Sequence, residues 1–243
     1  MSAFMSGSGL GHGALIPSTR RLAADEVAVW QTALDESSDD AVLGFADLLS
    51  ADEVARASRF FFARDRRRFV VGRGILRVLL GAYRGVAPQD LRFVYGPNGK
   101  PALATSSGAV EMGFNLAHSD GLAVFAFAES GEVGVDLERV REMADWRRIA
   151  ELSFPLRDCL RVKAASEERR MTEFFRAWTR QEALLKATGA GLGGSLPPSG
   201  KFRVQPLALA SGFIGALAIG RGVRVVSHHV WSDGEFAGLR QRN

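Results

Sequence analysis

Twice along this chain a long amphipathic helical pattern runs into a series of strand-forming segments. The first helix is predicted from Arg66 to Tyr83. There Phe69, Val70, Arg73, Ile75, Leu76, Leu79, Leu80 and Tyr83 fall at the three- and four-residue spacings of one buried face. Val86-Ala87-Pro88 ends it, and a strand is predicted over Leu91 to Tyr95 before the dense turn signal Gly96-Pro97-Asn98-Gly99. Leu122 to Ala128 and Glu132 to Glu138 read as two strands joined into a hairpin by Glu129-Ser130-Gly131. The second long helix is predicted from Met171 to Thr188, after a polar break at Ser166 to Arg170. A Gly/Ser/Pro loop from Gly189 to Gly200 then leads to strand-like segments at Phe202 to Gln205, Phe213 to Ala218, Val223 to Val230 and Glu235 to Leu239. No residue-level repeat accompanies this recurrence. The order predicts an α+β fold of two similar halves meeting near Val133, with ligands bound in the cleft between them. The expected division is a disordered leader at 1–20, an N-terminal half at 21–133 and a C-terminal half at 134–243.

The shorter elements have their own signals. Ala23 to Leu34 is strand-like and Ala41 to Leu49 helical. Ser50 with Glu53 forms a capping-box signature opening a helix that carries Arg56, Arg59 and the run Phe60-Phe61-Phe62. Helices are also predicted at Trp146 to Leu152 and Leu156 to Ala165.

Composition narrows the class. In 243 residues, 47% are hydrophobic and 24% charged, which is ordinary for a globular chain. A single cysteine, Cys159, excludes an internal disulfide framework and fits a reducing compartment. No apolar run reaches the length of a membrane span. The Ser/Gly-rich start, Met1 to His12, lacks the regions of a signal peptide. A cytoplasmic protein without membrane contact is expected. The net charge of +4 suits a polyanionic ligand or an acidic partner. The run Arg64 to Arg68 could suggest nucleic acid, but it lies inside an amphipathic helix pattern with no aromatic stacking array beside it, so a solvated helix face is the better reading.

Two acidic segments carry chemistry. In Glu132-Val133-Gly134-Val135-Asp136-Leu137-Glu138, strand alternation turns Val133, Val135 and Leu137 to one face. Gly134, Asp136 and Glu138 turn to the other, Gly134 leaving space beside the two acids. Adjacent carboxylates repel unless a cation or a proton intervenes, and a hard divalent ion is the natural partner. From Asp-x-Glu alone, a solvated strand face is the commoner outcome. In the second helix the apolar stripe Met171, Phe174, Phe175, Trp178 continues onto Glu182. An acid on such a stripe is costly to bury unless it is paired or bound to metal. Lys186 stands one turn further, so an ordinary i,i+4 salt bridge is also available.

Basic and polar groups come from separate segments. His118 and Ser119 lie in the polar turn before the expected hairpin, where Gly121 lets a phosphate approach the backbone. Lys100 follows the glycine-rich turn, and Arg56 and Arg68 lie on the preceding helices. Gly189-Ala190-Gly191-Leu192-Gly193-Gly194 follows a helix where a dinucleotide fingerprint needs a strand, so it reads as a helix C-cap and loop.

Three motifs, in this order, resemble the surfactin-type 4′-phosphopantetheinyl transferase family: Phe114-Asn115-Leu116-Ala117-His118-Ser119, Gly134-Val135-Asp136-Leu137-Glu138, and Trp178-Thr179-Arg180-Gln181-Glu182-Ala183-Leu184-Leu185-Lys186. Gly99-Lys100-Pro101 and the Arg68-Phe69 to Arg77 helix also match, so the resemblance runs from about Arg56 to Leu192. It implies a pseudo-twofold monomer with coenzyme A in the cleft. The reaction implied is Mg²⁺-dependent transfer of 4′-phosphopantetheine from coenzyme A to a serine of an apo acyl or peptidyl carrier protein, releasing 3′,5′-ADP. By motif position Asp136, Glu138 and Glu182 match the metal-site acids, Glu182 also the general base, and Lys186 a lysine near the pyrophosphate. His118 and Lys100 match phosphate contacts, and Arg56 a 3′-phosphate contact. This sequence departs at Ala117, where the family often has a serine donor to phosphate, and at Gln181, where it has lysine. A non-catalytic coenzyme A or nucleotide sensor is the alternative on the same fold.

Overall fold

The strand β1 (Glu26–Ala33) is almost wholly buried, and β5 (Leu122–Ala128) is buried at every position. A strand buried on both faces must be covered by two layers. The computed structural model, which describes residues 21–104, 112–191 and 193–234, supplies both.

The elements in chain order are β1, α1 (Asp39–Ala46), α2 (Ala51–Ala57), α3 (Ala63–Arg84), a 3₁₀ turn (Pro88–Asp90), β2 (Phe93–Tyr95), β3 (Pro101–Leu103), β4 (Gly113–Ser119), β5, β6 (Val133–Arg139), α4 (Trp146–Ser153), α5 (Leu156–Ala164), α6 (Glu167–Thr188), β7 (Phe202–Pro206), β8 (Phe213–Gly220) and β9 (Val225–Val230). A four-stranded sheet has the order β4-β5-β1-β9, a three-stranded sheet β6-β8-β7, and β2 pairs with β3 alone. On one face of the four-stranded sheet, Ala28, Trp30, Phe125 and Phe127 meet Ile75, Leu76 and Leu79 of α3. On its other face, Val27, Val29, Val124 and Ala126 meet Val133, Val135, Leu137, Leu217 and Ile219 of the second sheet. Helix α6 covers that sheet's far side through Ala183 and Ala187 against Ala216 and Ala218. The layers therefore run helix, sheet, sheet, helix, and the α+β expectation holds. Helices α4 and α5 pack around Phe174 and Phe175 at the start of α6. Among the described residues no helix is long and apolar enough to cross a membrane.

The second long helix ends at the expected C-cap, Gly189 at φ 73°, and the first ends at Gly85, φ 64°, just before Val86-Ala87-Pro88. Helix α2 opens directly after Ser50, whose backbone N–H donates to Glu53 at 3.0 Å.

Several expectations need correction. The hairpin does not join β5 to β6: β5 pairs with β4 and β1, whereas β6 pairs with β8 in the other sheet. The hairpin that forms is β4–β5, turned by Asp120 and Gly121 at φ 45° and 88°. Two successive positive φ values give the turn whose twist suits a two-residue hairpin. His118 and Ser119, expected in a polar turn, are therefore the end of a strand. The polar break at 166–170 is the first turn of α6, with Ser166 at its N-cap and Glu167 and Glu168 suiting the helix dipole. Helix α2 stops at Ala57, so Phe60-Phe61-Phe62 lie in the connection to α3. Strand β9 belongs to the first sheet, running parallel to β1. The expected leader at 1–20 and strand at 235–239 lie outside the described residues.

Candidate functional site

The site forms where β4, at the edge of one sheet, runs beside β6, at the edge of the other. Strand β6 turns Val133, Val135 and Leu137 into the inter-sheet core, as alternation requires. Its opposite face turns to α6. Gly134 lets the helix come close: a Cβ there would stand 2.1 Å from the Ala183 carbonyl oxygen and 2.4 Å from the Ala187 nitrogen. The space that Gly134 leaves is thus filled by helix backbone and is not open to a ligand.

This contact brings Asp136 beneath the end of α6. The Lys186 Nζ donates to Asp136 Oδ1 at 2.6 Å. Asp136 is 5% exposed, and its Oδ2 is buried with no hydrogen-bond partner. Burial, reinforced by Glu138 and Glu182 and opposed by Lys186, pushes its carboxyl up to about 6. Glu182 is half-buried. Its carboxyl is also raised, first by burial and then by Glu138, against the pull of Lys186. The helix-to-strand ion pair from Lys186 to Asp136 takes the lysine that the i,i+4 reading would have given to Glu182.

Glu138 is fixed from two sides. Ser119 Oγ donates to its Oε2 at 2.9 Å, and Arg141 Nη1 donates to the same oxygen at 3.0 Å. Ser119 stands on β4, whose side chains tie down the free edge of β6. The Val135 N–H donates to Asn115 Oδ1 at 2.8 Å, and the Arg139 N–H to Ser119 Oγ at 3.2 Å. Asn115, Ser119 and Ala117 share that face, and Ala117 is buried in the inter-sheet core. A serine at 117 would therefore point at apolar side chains, and the hydroxyl expected to be missing from a phosphate site belongs instead to that core.

His118 lies on the opposite face of β4, on the surface. The protein packed around it, with Lys186 and Arg68 nearby, holds its imidazole below the usual range. Arg68 makes a two-point contact with Asp35, Nε to Oδ1 at 2.8 Å and Nη2 to Oδ2 at 2.5 Å. That contact holds the Asp35 carboxyl below its ordinary range. A Cβ on Gly121 would meet both groups, at 2.8 Å from Asp35 Oδ2 and 3.0 Å from Arg68 Nη2, so the β4–β5 turn closes against this pair. Arg56 is exposed, its guanidinium 5.5 Å from the Phe69 ring. Lys100 sits elsewhere. Its Nζ donates to the Ala187 carbonyl at 2.7 Å and the Val133 carbonyl at 3.3 Å. Gln181 has a buried Oε1 without a hydrogen-bond partner.

The structure thus gathers Asp136, Glu138, Glu182, Lys186 and Ser119, with His118 and Arg68 nearby, while Arg56 packs on Phe69. Sequence reasoning missed Asn115 as the strut between sheets, Arg141 on Glu138 and Asp35 on Arg68. Only the strand parity of Asn115 with Ser119 signalled any of them. Among the described residues no three His, Cys, Asp or Glu side chains converge tightly enough to form a ready-made metal cage. Magnesium seldom uses such a cage, taking one or two carboxylates together with substrate phosphates and water. The orphaned Asp136 Oδ2 and the mutually repelling acids fit that demand.

Residues 132–233 match the 4′-phosphopantetheinyl transferase superfamily, and residues 36–130 match the 4′-phosphopantetheinyl transferase N-terminal family. The chain is 41% identical over 176 residues to 4′-phosphopantetheinyl transferase HetI of Nostoc sp., covering 72% of this chain and 74% of that protein. It is 33% identical over 124 residues to 4′-phosphopantetheinyl transferase AcpT of Escherichia coli, covering 51% of this chain and 58% of that protein. It is 27% identical over 172 residues to the L-aminoadipate-semialdehyde dehydrogenase-phosphopantetheinyl transferase of Homo sapiens, covering 68% and 55%. By sequence, by fold and by the meeting of its motifs, the chain belongs to the 4′-phosphopantetheinyl transferase superfamily.

Proposed function

We propose that this protein transfers the 4′-phosphopantetheine group of coenzyme A to a serine hydroxyl of an apo acyl or peptidyl carrier protein, releasing 3′,5′-ADP. The observation that carries the reading is the junction of α6 and β6. There Lys186 bonds one oxygen of Asp136, the other oxygen is buried without a hydrogen-bond partner, and Glu138 and Glu182 stand near enough to act on it. The two family models, one on each half of the chain, support the surfactin-type form, a monomer of two halves related by a pseudo-twofold. The names of the relatives favour turnover over a non-catalytic sensor.

In this reading the serine oxygen forms a bond to the β-phosphorus of coenzyme A. The bond from that phosphorus to the bridging oxygen breaks, and 3′,5′-ADP leaves. Glu182, whose raised affinity for a proton suits a base, takes the serine proton. Asp136 and Glu138, with Glu182, would hold Mg²⁺, which when bound neutralises charge on the pyrophosphate. Lys186 adds positive charge beside them, and Ser119 and Arg141 keep Glu138 oriented. His118 and Arg68, and Arg56 over Phe69, are the proposed contacts for the remaining phosphates. Most of the rate gain comes from positioning and charge neutralisation.

The basic composition favours an acidic carrier. It does not require nucleic acid, because Arg67 and Arg68 of the Arg-rich run engage Asp39 and Asp35. The single, buried Cys159 fits the cytoplasm. The test is intact-mass spectrometry of a panel of apo-carrier proteins incubated with enzyme, coenzyme A and Mg²⁺. At least one carrier should gain a single phosphopantetheine; a panel left unmodified would refute the proposal.

A further inference from the structure

Lys100 and Asn98 sit at the tip of the β2–β3 hairpin, in the first half of the chain, yet their polar atoms belong to the end of α6. Lys100 Nζ donates to the Ala187 and Val133 carbonyls, and Asn98 Nδ2 donates to the Gly189 carbonyl at 2.9 Å. The fit is close. A Cβ on Gly191 would stand 2.9 Å from Asn98 Cβ, and one on Gly189 would stand 3.5 Å from Lys100 Cδ. The last carbonyls of a helix have no partners within it and sit at its negative pole, so a lysine and an amide there satisfy both needs.

The hairpin is itself anchored. Phe93, at its root, lies under the guanidinium groups of Arg73 and Arg77 at 4.6 and 5.1 Å. Arg77 Nη1 also donates to the Pro88 and Leu91 carbonyls at 2.9 and 3.1 Å, holding the chain that enters β2. The root of the hairpin is therefore held by α3, several residues before the tip.

We infer that Lys100 and Asn98 are positioning residues, and that the hairpin tip clamps the last turn of α6 to the first residue of β6. This inference rests on the proposed transfer reaction. Ala187 directly follows Lys186, and Val133 precedes Asp136 by three residues. A clamp on those two carbonyls fixes the helix that carries Glu182 and Lys186 against the strand that carries Asp136 and Glu138. In this role the Lys100 ammonium serves helix register and not a coenzyme A phosphate. Burial on those carbonyls pushes it down to about 8.

The test is steady-state transfer kinetics with coenzyme A varied, together with hydrogen–deuterium exchange over the end of α6. For Lys100→Met the expected result is a fall in kcat of about tenfold or more with KM for coenzyme A within about twofold, since a small misplacement of reacting groups slows the chemical step and leaves ground-state binding intact. Asn98→Ala, which carries no charge, should lower kcat about threefold with the same unchanged KM. Amide exchange should quicken over residues 185–190 in both. A rise in KM of about tenfold in Lys100→Met with kcat intact would assign the ammonium to phosphate and overturn the inference. So would wild-type kcat in both variants. If Lys100→Met does not fold, Asn98→Ala decides alone. If the wild-type enzyme modifies no carrier, the transfer reading fails, whereas unchanged exchange at residues 185–190 in the variants rejects the clamp.

Discussion

Two clusters of buried charge lie against the two long helices, and they are balanced in opposite ways. Under α3, Glu53 is 1% exposed and meets two guanidiniums, Arg73 and Arg77. Burial works against its ionised form, but Arg73, the Ser50 N–H and Arg77 outweigh it, and the carboxyl is held below its ordinary range. Against α6, Asp136 is buried almost as deeply but has only Lys186 to offset it; burial, with a smaller contribution from Glu138 and Glu182, pushes its carboxyl up to about 6. In the first cluster the acid is outnumbered by its bases: one carboxylate meets two guanidiniums, Arg77 also bonds two backbone carbonyls, and the atoms left without a hydrogen-bond partner, Arg73 Nη2 and Arg77 Nη2, are donors. The second has acid in excess. One buried carboxylate is thus neutralised within the protein and the other is not, and in the proposed function Mg²⁺ would supply the difference.

The largest break between the clusters should come from removing one acid from each. Glu182→Gln should slow carrier modification by about 10²- to 10⁴-fold, the range for loss of a general base. Its melting temperature should stay within about 3 °C, the shift that ~1 kcal/mol produces in a chain of this size. Asp136→Ala should likewise abolish transfer in a folded protein. Circular dichroism beside the transfer assay checks both.

Glu53→Ala should do the reverse. Leaving Arg73 and Arg77 buried without their acid should cost about 3–5 kcal/mol of stability, read by urea unfolding. Transfer per folded molecule should persist.

The burial of Asp136, reinforced by its acidic neighbours, also sets a pH signature. The carboxyl of Asp136, ordinarily near 3.8, is raised to about 6 in the fold. Between those values the folded state holds a proton that the unfolded chain has lost. The stability due to this group is therefore present below the lower value and lost as pH rises through the upper one. Mg²⁺ binds the ionised form. At about five times its dissociation constant it should raise the melting temperature by ~2–4 °C at pH 8. At pH 5 it should do little, and Asp136→Asn should abolish the response.

The smallest effect is expected at Ala117. A serine there should leave transfer within about twofold while costing up to ~1–3 kcal/mol for a buried hydroxyl. A large gain in affinity for coenzyme A would instead show that position 117 reaches the ligand.

The cluster on α6 was the more legible of the two. Strand alternation sets Asp136 and Glu138 on one face, and helical phase sets Glu182 on the inner stripe, so both halves of the site could be read from period alone. Their meeting could not, because it depends on Gly134 admitting the α6 backbone. Taken as room for a ligand, that glycine gave the wrong picture. The Glu53 cluster was read only as a capping box, since nothing in local spacing reveals that the same carboxylate faces Arg73 and Arg77 of another helix. The β5–β6 hairpin failed for a related reason. Glu129-Ser130-Gly131 is a good turn, but β6 crosses into the second sheet, and Asp120-Gly121 makes the hairpin instead. Lys100 was assigned to phosphate by family position, whereas its contacts with α6 arise from tertiary packing that no motif encodes.

The claim that the α6 cluster is incomplete without a cation is tested most directly by replacing Mg²⁺ with paramagnetic Mn²⁺ and counting bound metal by electron paramagnetic resonance. With coenzyme A present, the wild-type protein should bind Mn²⁺ at one site, with an affinity that weakens as pH falls through about 6. Asp136→Asn should lose that site. Wild-type protein that binds no Mn²⁺, or binds it as well after Asp136→Asn, would contradict the account.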